Sequence, residues 1–285
     1  MSADDLAAPR TAVTVVVPTR NESPNVELLV DRLAHALGGD TGWEVIFVDD
    51  SDDDTPDAIV AQRRADRAIR LHHRPAGQRF GGLGGAVQDG FAAAGGEVIV
   101  VMDGDLQHPP EAVPTLLATI GAGEADLVVG TRYAGAGIAG GLSGPWRRGV
   151  SSTSRMLVHA LIPRSRPLTD PLSGLFAFKR SVIEGVTLEA NGFKILLEVV
   201  ARGRWHRAVN VAYRFDRRYA GRSKASLHQG LLFTQHLIRL ANHSRQPLHA
   251  PPPVVPSADS AAAPAGGISE QTRSVGGLAD RGAHR

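Results

Sequence analysis

Cysteine is absent from the 285 residues of this chain, which excludes disulfides, zinc–thiolate sites and thiol catalysis and fits a cytoplasmic setting. Aromatic side chains amount to 5% and do not interleave with the basic runs, so no stacking surface for nucleic acid is expected. No window of about 18 apolar residues occurs, so no transmembrane helix is expected. Met1 to Arg10 contains no apolar stretch of the signal-peptide kind. The net charge of +2 is small but unevenly spread. Asp49 to Asp54 holds five Asp in six residues. Arg202 to Lys224 carries eight Arg or Lys against one Asp, and Pro145 to Pro167 carries five Arg and no acid. Basic clusters of this size mark anionic partners: phosphates, nucleic acid or an acidic membrane surface.

The first 130 or so residues alternate strand-like and helix-like segments. Val13 to Val17, Glu44 to Val48, Ile69 to His72, Glu97 to Met102 and Asp126 to Val129 read as strands. Between them, helices are expected from Ser23 as N-cap with Pro24 behind it, from Thr55-Pro56 by the same logic, over Leu83 to Ala94, and from about Pro110 to Ile120. This alternation predicts an α/β fold, a mostly parallel sheet with helices on both faces. Ligands of such sheets bind beyond the carboxyl ends of the strands, and the polar clusters Pro18 to Glu22, Asp49 to Thr55, Asp103 to His108 and Gly130 to Tyr133 all fall there. The second half is less regular. Helices are expected over Trp146 to Leu161, Phe193 to Ala201 and a final segment from Leu227, with strands over Gly174 to Phe178 and Arg207 to Phe215. The last helix is apolar on one face, for core packing or for lying on a membrane surface. From Gln246 onward the chain is rich in Pro, Ala, Gly and Ser and is expected to be disordered, as are residues 1–11, leaving a single domain over 12–245.

Asp103 and Asp105 carry the sharpest chemical signal. Residues i and i+2 of an extended segment project to one side, so the two carboxylates can converge just past the fourth strand. Carboxylates that close repel unless a cation sits between them, and a hard divalent ion, Mg2+ or Mn2+, prefers such oxygen ligands. At the first two strand ends, carboxylates such as Asp49 and Asp50 can accept from a base or a ribose, or one of them can cap the next helix. The loop Gln78 to Ala86 matches neither a P-loop nor a Gly-x-Gly-x-x-Gly fingerprint, and its glycines suit close backbone approach to a ligand.

Taken in order, Pro18-Thr-Arg-Asn-Glu22, Val48-Asp-Asp-Ser51, Gly82-Leu-Gly84 and Asp103-Gly-Asp-Leu-Gln-His108 resemble family 2 glycosyltransferases of the GT-A fold. Gly130-Thr-Arg-Tyr133, Asp170-Pro-Leu-Ser-Gly174, Gly192 to Glu198 and Phe215 to Lys224 are similar to dolichol-phosphate or polyprenol-phosphate mannose synthases. The resemblance spans about Val13 to Leu240 and implies inverting transfer of a hexose from a nucleotide diphosphate sugar to a lipid phosphate. It implies a nucleotide sugar against Pro18, Arg20, Glu22, Val48, Asp49, Asp50, Gly82, Asp103 and Gly104. It implies a metal, Mg2+ or Mn2+, on Asp103, Asp105 and Gln107, and catalytic roles for Asp105, Arg218 and Lys224. It implies an acceptor phosphate on Arg132, Arg147 and Ser151, although Arg147 also reads as an ordinary surface Arg. His108 is left out, because His is a poor ligand for Mg2+.

Departures from the family pattern at Arg20, Thr55, Phe80 and Ser152 bear on which donor is used, GDP-mannose or a UDP-sugar such as UDP-glucose. A polyprenyl or dolichyl phosphate acceptor requires a peripheral approach to the cytoplasmic face of a membrane, through basic surface, the last helix or a membrane-anchored partner. Two other readings are weaker. A sugar-1-phosphate nucleotidyltransferase would want a Gly-x-Gly-Thr-Arg-like loop where Pro18 to Glu22 stands. A non-catalytic nucleotide-sugar-binding subunit would not need Asp103, Asp105, Arg218 and Lys224 intact.

Overall fold

A computed structural model describes residues 12–38, 42–63, 68–132, 145–189, 194–215 and 227–244. Its centre is three strands that are apolar on both faces: Val15 to Val17, Val45 to Val48 and Ile99 to Val101 are at most 2% exposed. They belong to β1 (Val13–Thr19), β2 (Trp43–Asp49) and β4 (Val98–Val101). With β3 (Ala68–His73), β5 (Leu127–Thr131), β6 (Phe176–Lys179) and β7 (Ala208–Ala212) they form a seven-stranded sheet in the order β3-β2-β1-β4-β6-β5-β7.

Side chains alternate between the two faces with the period of two that a strand imposes. Val16, Ile46, Val48, Ile99 and Val101 join one core, and Val15, Val17, Val45, Phe47 and Val100 join the other. Helices cover both faces, so strands with no polar face are stable there. Phe91 of α3 (Gly82–Ala93), Leu196 of α6 (Ile195–Arg202) and Leu237 of α7 (Leu227–Ser244) enter the first core, as does Val158 of α5 (Pro145–Leu161). Leu29 and Leu33 of α1 (Ser23–Leu37), Ile59 of α2 (Thr55–Ala61) and Leu116 of α4 (Val113–Gly121) enter the second.

Register sets the functional edge. Thr19 pairs with Asp49 and Asp49 with His73, so β1, β2 and β3 end level. All pairings are parallel except those of β6, which runs antiparallel between β4 and β5, with Phe176 opposite both Val101 and Val129. The start of β6 therefore lies beside the ends of β4 and β5. Its lead-in, Asp170 to Leu175, is delivered to the edge where the polar clusters gather.

Element ends differ from the sequence-based expectation. Ser23 is the first helical residue of α1 rather than its cap; Glu22 precedes it without a side-chain cap bond. Thr55 likewise opens α2, and the Asp53 carboxylate receives both its N–H and its hydroxyl at 3.0 and 2.6 Å. The segment from Pro110 starts as a 3-10 turn before α4 continues it. Among the described residues no helix is long and apolar enough to cross a membrane. The expected disorder of residues 1–11 and 246–285 concerns chain outside the described residues.

Candidate functional site

At the ends of β1 and β2 the polar residues are stitched to each other. Asp49 is fully buried; it accepts from Thr19 Oγ1 at 2.9 Å and Ser51 N at 3.2 Å, and His73 Nδ1 lies 2.8 Å away. Asp50 takes two hydrogen bonds of 2.7 Å from Arg74, and neither Asp caps α2. Arg74 continues to Asp89 and to the carbonyls of Phe80 and Gly82, so one buried guanidinium ties β2 to the glycine-rich loop. Arg79 closes the same corner, donating to the carbonyl oxygens of Ser51 and Arg74. Arg20 is about half exposed and lies 3.7 Å from Asp52. Asn21 takes a positive φ of 55° and links the two strand-end loops through Ser51 and Asp52. Glu22 accepts from the Asn25 side chain. Pro18 and Val48 are buried beneath this layer.

Crowding in the glycine-rich loop is internal. A Cβ on Gly85 would meet the Phe80 carbonyl oxygen at 2.0 Å, whereas one on Gly82 would meet nothing within 4 Å. Gly82 is required instead by its positive φ of 55°.

Past β4 the chain turns sharply, with Leu106 buried at a positive φ of 60°. Asp105 is 7% exposed and its Oδ1 accepts the Gln107 N–H at 3.1 Å. Gly104 packs so closely on β1 that a Cβ would sit 3.0 Å from Thr19 Cγ2. The Asp103 side chain is 40% exposed, and its Oδ2 lies 3.3 Å from Nε2 of the buried His108.

Across this mouth stand residues from the second half of the chain. Arg132 at the end of β5 donates to Asp170 through Nε at 2.8 Å and lies over the Phe215 ring, 4.9 Å from its centroid. Lys194 precedes α6, and its Nζ donates to the Leu172 carbonyl at 2.9 Å. Burial holds that ammonium below its ordinary value; Asp103 and Asp170 pull it upward, and Arg132 presses it down. Four charges from four segments therefore share one neighbourhood: Asp103, Arg132, Asp170 and Lys194. Lys194 and Glu198 stand at the i,i+4 spacing of a helix ion pair, but Glu198 meets His236 and Arg202 instead, each at 2.7 Å.

Arg218 and Lys224 lie outside the described residues. Of Arg147 and Ser151 only the helical backbone of α5 is described. His108 and Tyr213, whose ring nitrogen Nδ1 and hydroxyl are 2.7 Å apart, are the site residues that sequence reasoning did not assemble.

A doubly wound sheet with Asp103 and Asp105 past the end of a central strand, and with Arg132, Asp170 and Lys194 near Asp103, defines an α/β fold that gathers charged side chains at its strand ends. The family model for glycosyl transferase family 2 matches residues 14–185, and the chain belongs to that family; it is a glycosyltransferase with the GT-A fold. A dolichol-phosphate mannosyltransferase of Pyrococcus furiosus is 36% identical over 231 residues, 80% of this chain but 63% of that protein, so this chain spans less than two thirds of it. A dolichol-phosphate mannosyltransferase of Saccharomyces cerevisiae is 36% identical over 248 residues, covering 80% of this chain and 85% of its own. Among solved structures, glucosyl-3-phosphoglycerate synthase of Mycobacterium tuberculosis, in complex with Mn2+, UDP and phosphoglyceric acid, superposes with a TM-score of 0.60 at 24% identity. That likeness covers 83% of this chain and 80% of the synthase.

Proposed function

We propose that this chain transfers a mannosyl residue, with inversion, from GDP-mannose to a polyprenyl or dolichyl phosphate at the cytoplasmic face of a membrane. The observation that carries the reading is the convergence of the Asp103 carboxylate with Arg132, Asp170 and Lys194 at one sheet edge. The names of the relatives support the same donor sugar and acceptor class.

A divalent ion fits the residues present. The donor set at the mouth of β4 is all oxygen: the carboxylates of Asp103 and Asp105 and the amide oxygen of Gln107. Mg2+ and Mn2+ take such sites with one or two carboxylates, the remaining positions being filled by substrate phosphates and water. Among the described residues no group of three or more His, Cys, Asp or Glu gathers as a metal site. When bound, the ion neutralises charge growing on the leaving diphosphate.

The protein residues divide the remaining work. Pro18, Arg20, Glu22, Val48, Asp49, Asp50, Gly82 and Gly104 shape the nucleotide end, with Asp49 and Asp50 acting through the loops they fasten. Arg132, with Arg147 and Ser151 from α5, receives the acceptor phosphate; a guanidinium offers the paired donors that a phosphate takes. Arg218 and Lys224 add positive charge over the diphosphate as it departs. The acceptor phosphate is already ionised near neutral pH, so no dedicated general base is needed.

The test is a lipid-extraction assay. Purified protein is incubated with Mg2+ or Mn2+, a polyprenyl phosphate and separate radiolabelled GDP-mannose, UDP-glucose and other nucleotide sugars. Label in the organic phase from GDP-mannose is the expected result, and label from a UDP-sugar alone replaces the donor assignment. Asp105→Asn is expected to lower turnover by about 100-fold or more; wild-type turnover in that variant would sink the metal assignment.

A further inference from the structure

We propose that His108 is a positioning residue: it holds the Asp103 carboxylate at the mouth of β4 and ties it, through Tyr213, to the segment that follows β7. The inference rests on the reading of Asp103 as a ligand of the metal and donor diphosphate.

His108 is 3% exposed and enclosed by aromatic rings, with centroids of Tyr213 and Phe215 each 5.4 Å away. Those contacts fix the plane of the imidazole. Its two nitrogens then face different partners: Nδ1 lies 2.7 Å from the Tyr213 hydroxyl and Nε2 lies 3.3 Å from Asp103 Oδ2. A carboxylate can only accept, so Nε2 is the nitrogen placed to donate to Asp103, while Nδ1 bonds the phenol. Burial pushes the Tyr213 phenol well above its ordinary value, which keeps that hydroxyl a donor.

Gly174 fits the same assembly. A Cβ there would lie 2.3 Å from Asp103 Oδ2 and 2.9 Å from His108 Nε2, so only a bare Cα leaves room for this contact. Phe215, the ring on the other side of His108, also carries Arg132 over its face. One chain of contacts therefore runs from the donor side, Asp103, to the acceptor side, Arg132. A group behind a metal-binding carboxylate fixes its orientation, and losing such a group typically costs about 10- to 100-fold in metal affinity.

The experiment measures Mn2+ affinity of the full chain with GDP present, by electron paramagnetic resonance, alongside urea unfolding. His108→Ala is expected to weaken Mn2+ binding about 10-fold. His108→Gln, whose amide N–H can still donate to Asp103, is expected to recover most of the loss. Tyr213→Phe, which removes only a hydroxyl, is expected to weaken binding a few-fold and guards against a His108 variant that does not fold. Wild-type Mn2+ affinity in both His108→Ala and Tyr213→Phe overturns the proposal, as does a Gln variant no better than Ala. Asp103→Asn separates the two readings. If it weakens Mn2+ while the other variants do not, only the role of His108 fails. If it leaves Mn2+ affinity unchanged, the metal site itself fails.

Discussion

Arg74 grips Asp50 with two hydrogen bonds of 2.7 Å, Nε to Oδ1 and Nη2 to Oδ2, and both side chains are at least nine-tenths buried. The same guanidinium donates to the carbonyls of Phe80 and Gly82. The glycine-rich loop is therefore held to the end of β2 by this guanidinium from the strand side and by Arg79 from the loop side. Breaking a buried pair strands the surviving charge, at a cost of about 3–5 kcal/mol, more than the pair is worth when both partners go. Arg74→Met is expected to lose stability on that scale in urea unfolding, and the double variant with Asp50→Leu to regain part of it. A loss below about 1 kcal/mol in Arg74→Met would show that the loop is held elsewhere.

Gly174 predicts a separation of activity from stability. The atoms a Cβ would strike are Asp103 Oδ2 and Cγ, at 2.3 and 2.8 Å, and His108 Nε2. Two of them are the end of a short side chain, so Gly174→Ala can be accommodated by turning the Asp103 carboxylate away. Turnover is expected to fall by about 10-fold or more, a misplacement effect, while the urea midpoint moves little. Equal turnover in the Ala variant would mean that the orientation of Asp103 does not matter.

The sheet and its functional edge were legible because the central strands are apolar on both faces, a pattern only a doubly covered sheet tolerates. The four residues of β6, Phe-Ala-Phe-Lys, carry no record of direction. Its antiparallel insertion was therefore invisible, and with it the reason why Asp170, Leu172 and Gly174 reach the site. Tyr213 and His108 are 105 positions apart, and no local periodicity links them. The misassigned caps have a different origin. Ser23 and Thr55 suit a cap by type, but both are already helical; before α2 the Asp53 carboxylate accepts from Thr55, and before α1 Glu22 makes no side-chain cap bond.

Glu198 shows how spacing misleads when burial decides. It stands at i+4 from Lys194, yet it is 1% exposed and lies between His236 of α7 and Arg202 of its own helix. It also accepts the Glu189 N–H at 3.1 Å. A buried carboxylate with three partners is worth most as the link between α6 and α7. Glu198→Leu is expected to cost about 3 kcal/mol by leaving the buried His236 without its partner, while Arg202 keeps the Glu189 carboxylate at 2.7 Å. Lys194→Gln is expected to leave the α6–α7 contact intact, as thermal unfolding of the two variants would show.

Glu44 gives the pH dependence. Burial pushes its carboxyl upward, but hydrogen bonds from Thr14 and the Gly95 N–H, together with the Arg70 guanidinium, outweigh it and hold the group below its ordinary value. The distances are 2.7, 2.7 and 3.0 Å. A carboxyl depressed in the folded state takes up its proton more readily when unfolded. Its stabilising contribution is therefore complete above the unfolded value and is lost as pH falls through the folded one. Wild type should exceed Glu44→Gln in stability near pH 7, and the gap should close as the pH is lowered from about 5 toward about 3. Urea titrations at several pH values read this directly. A gap that stays constant across that range would mean that the Glu44 carboxylate contributes shape rather than charge.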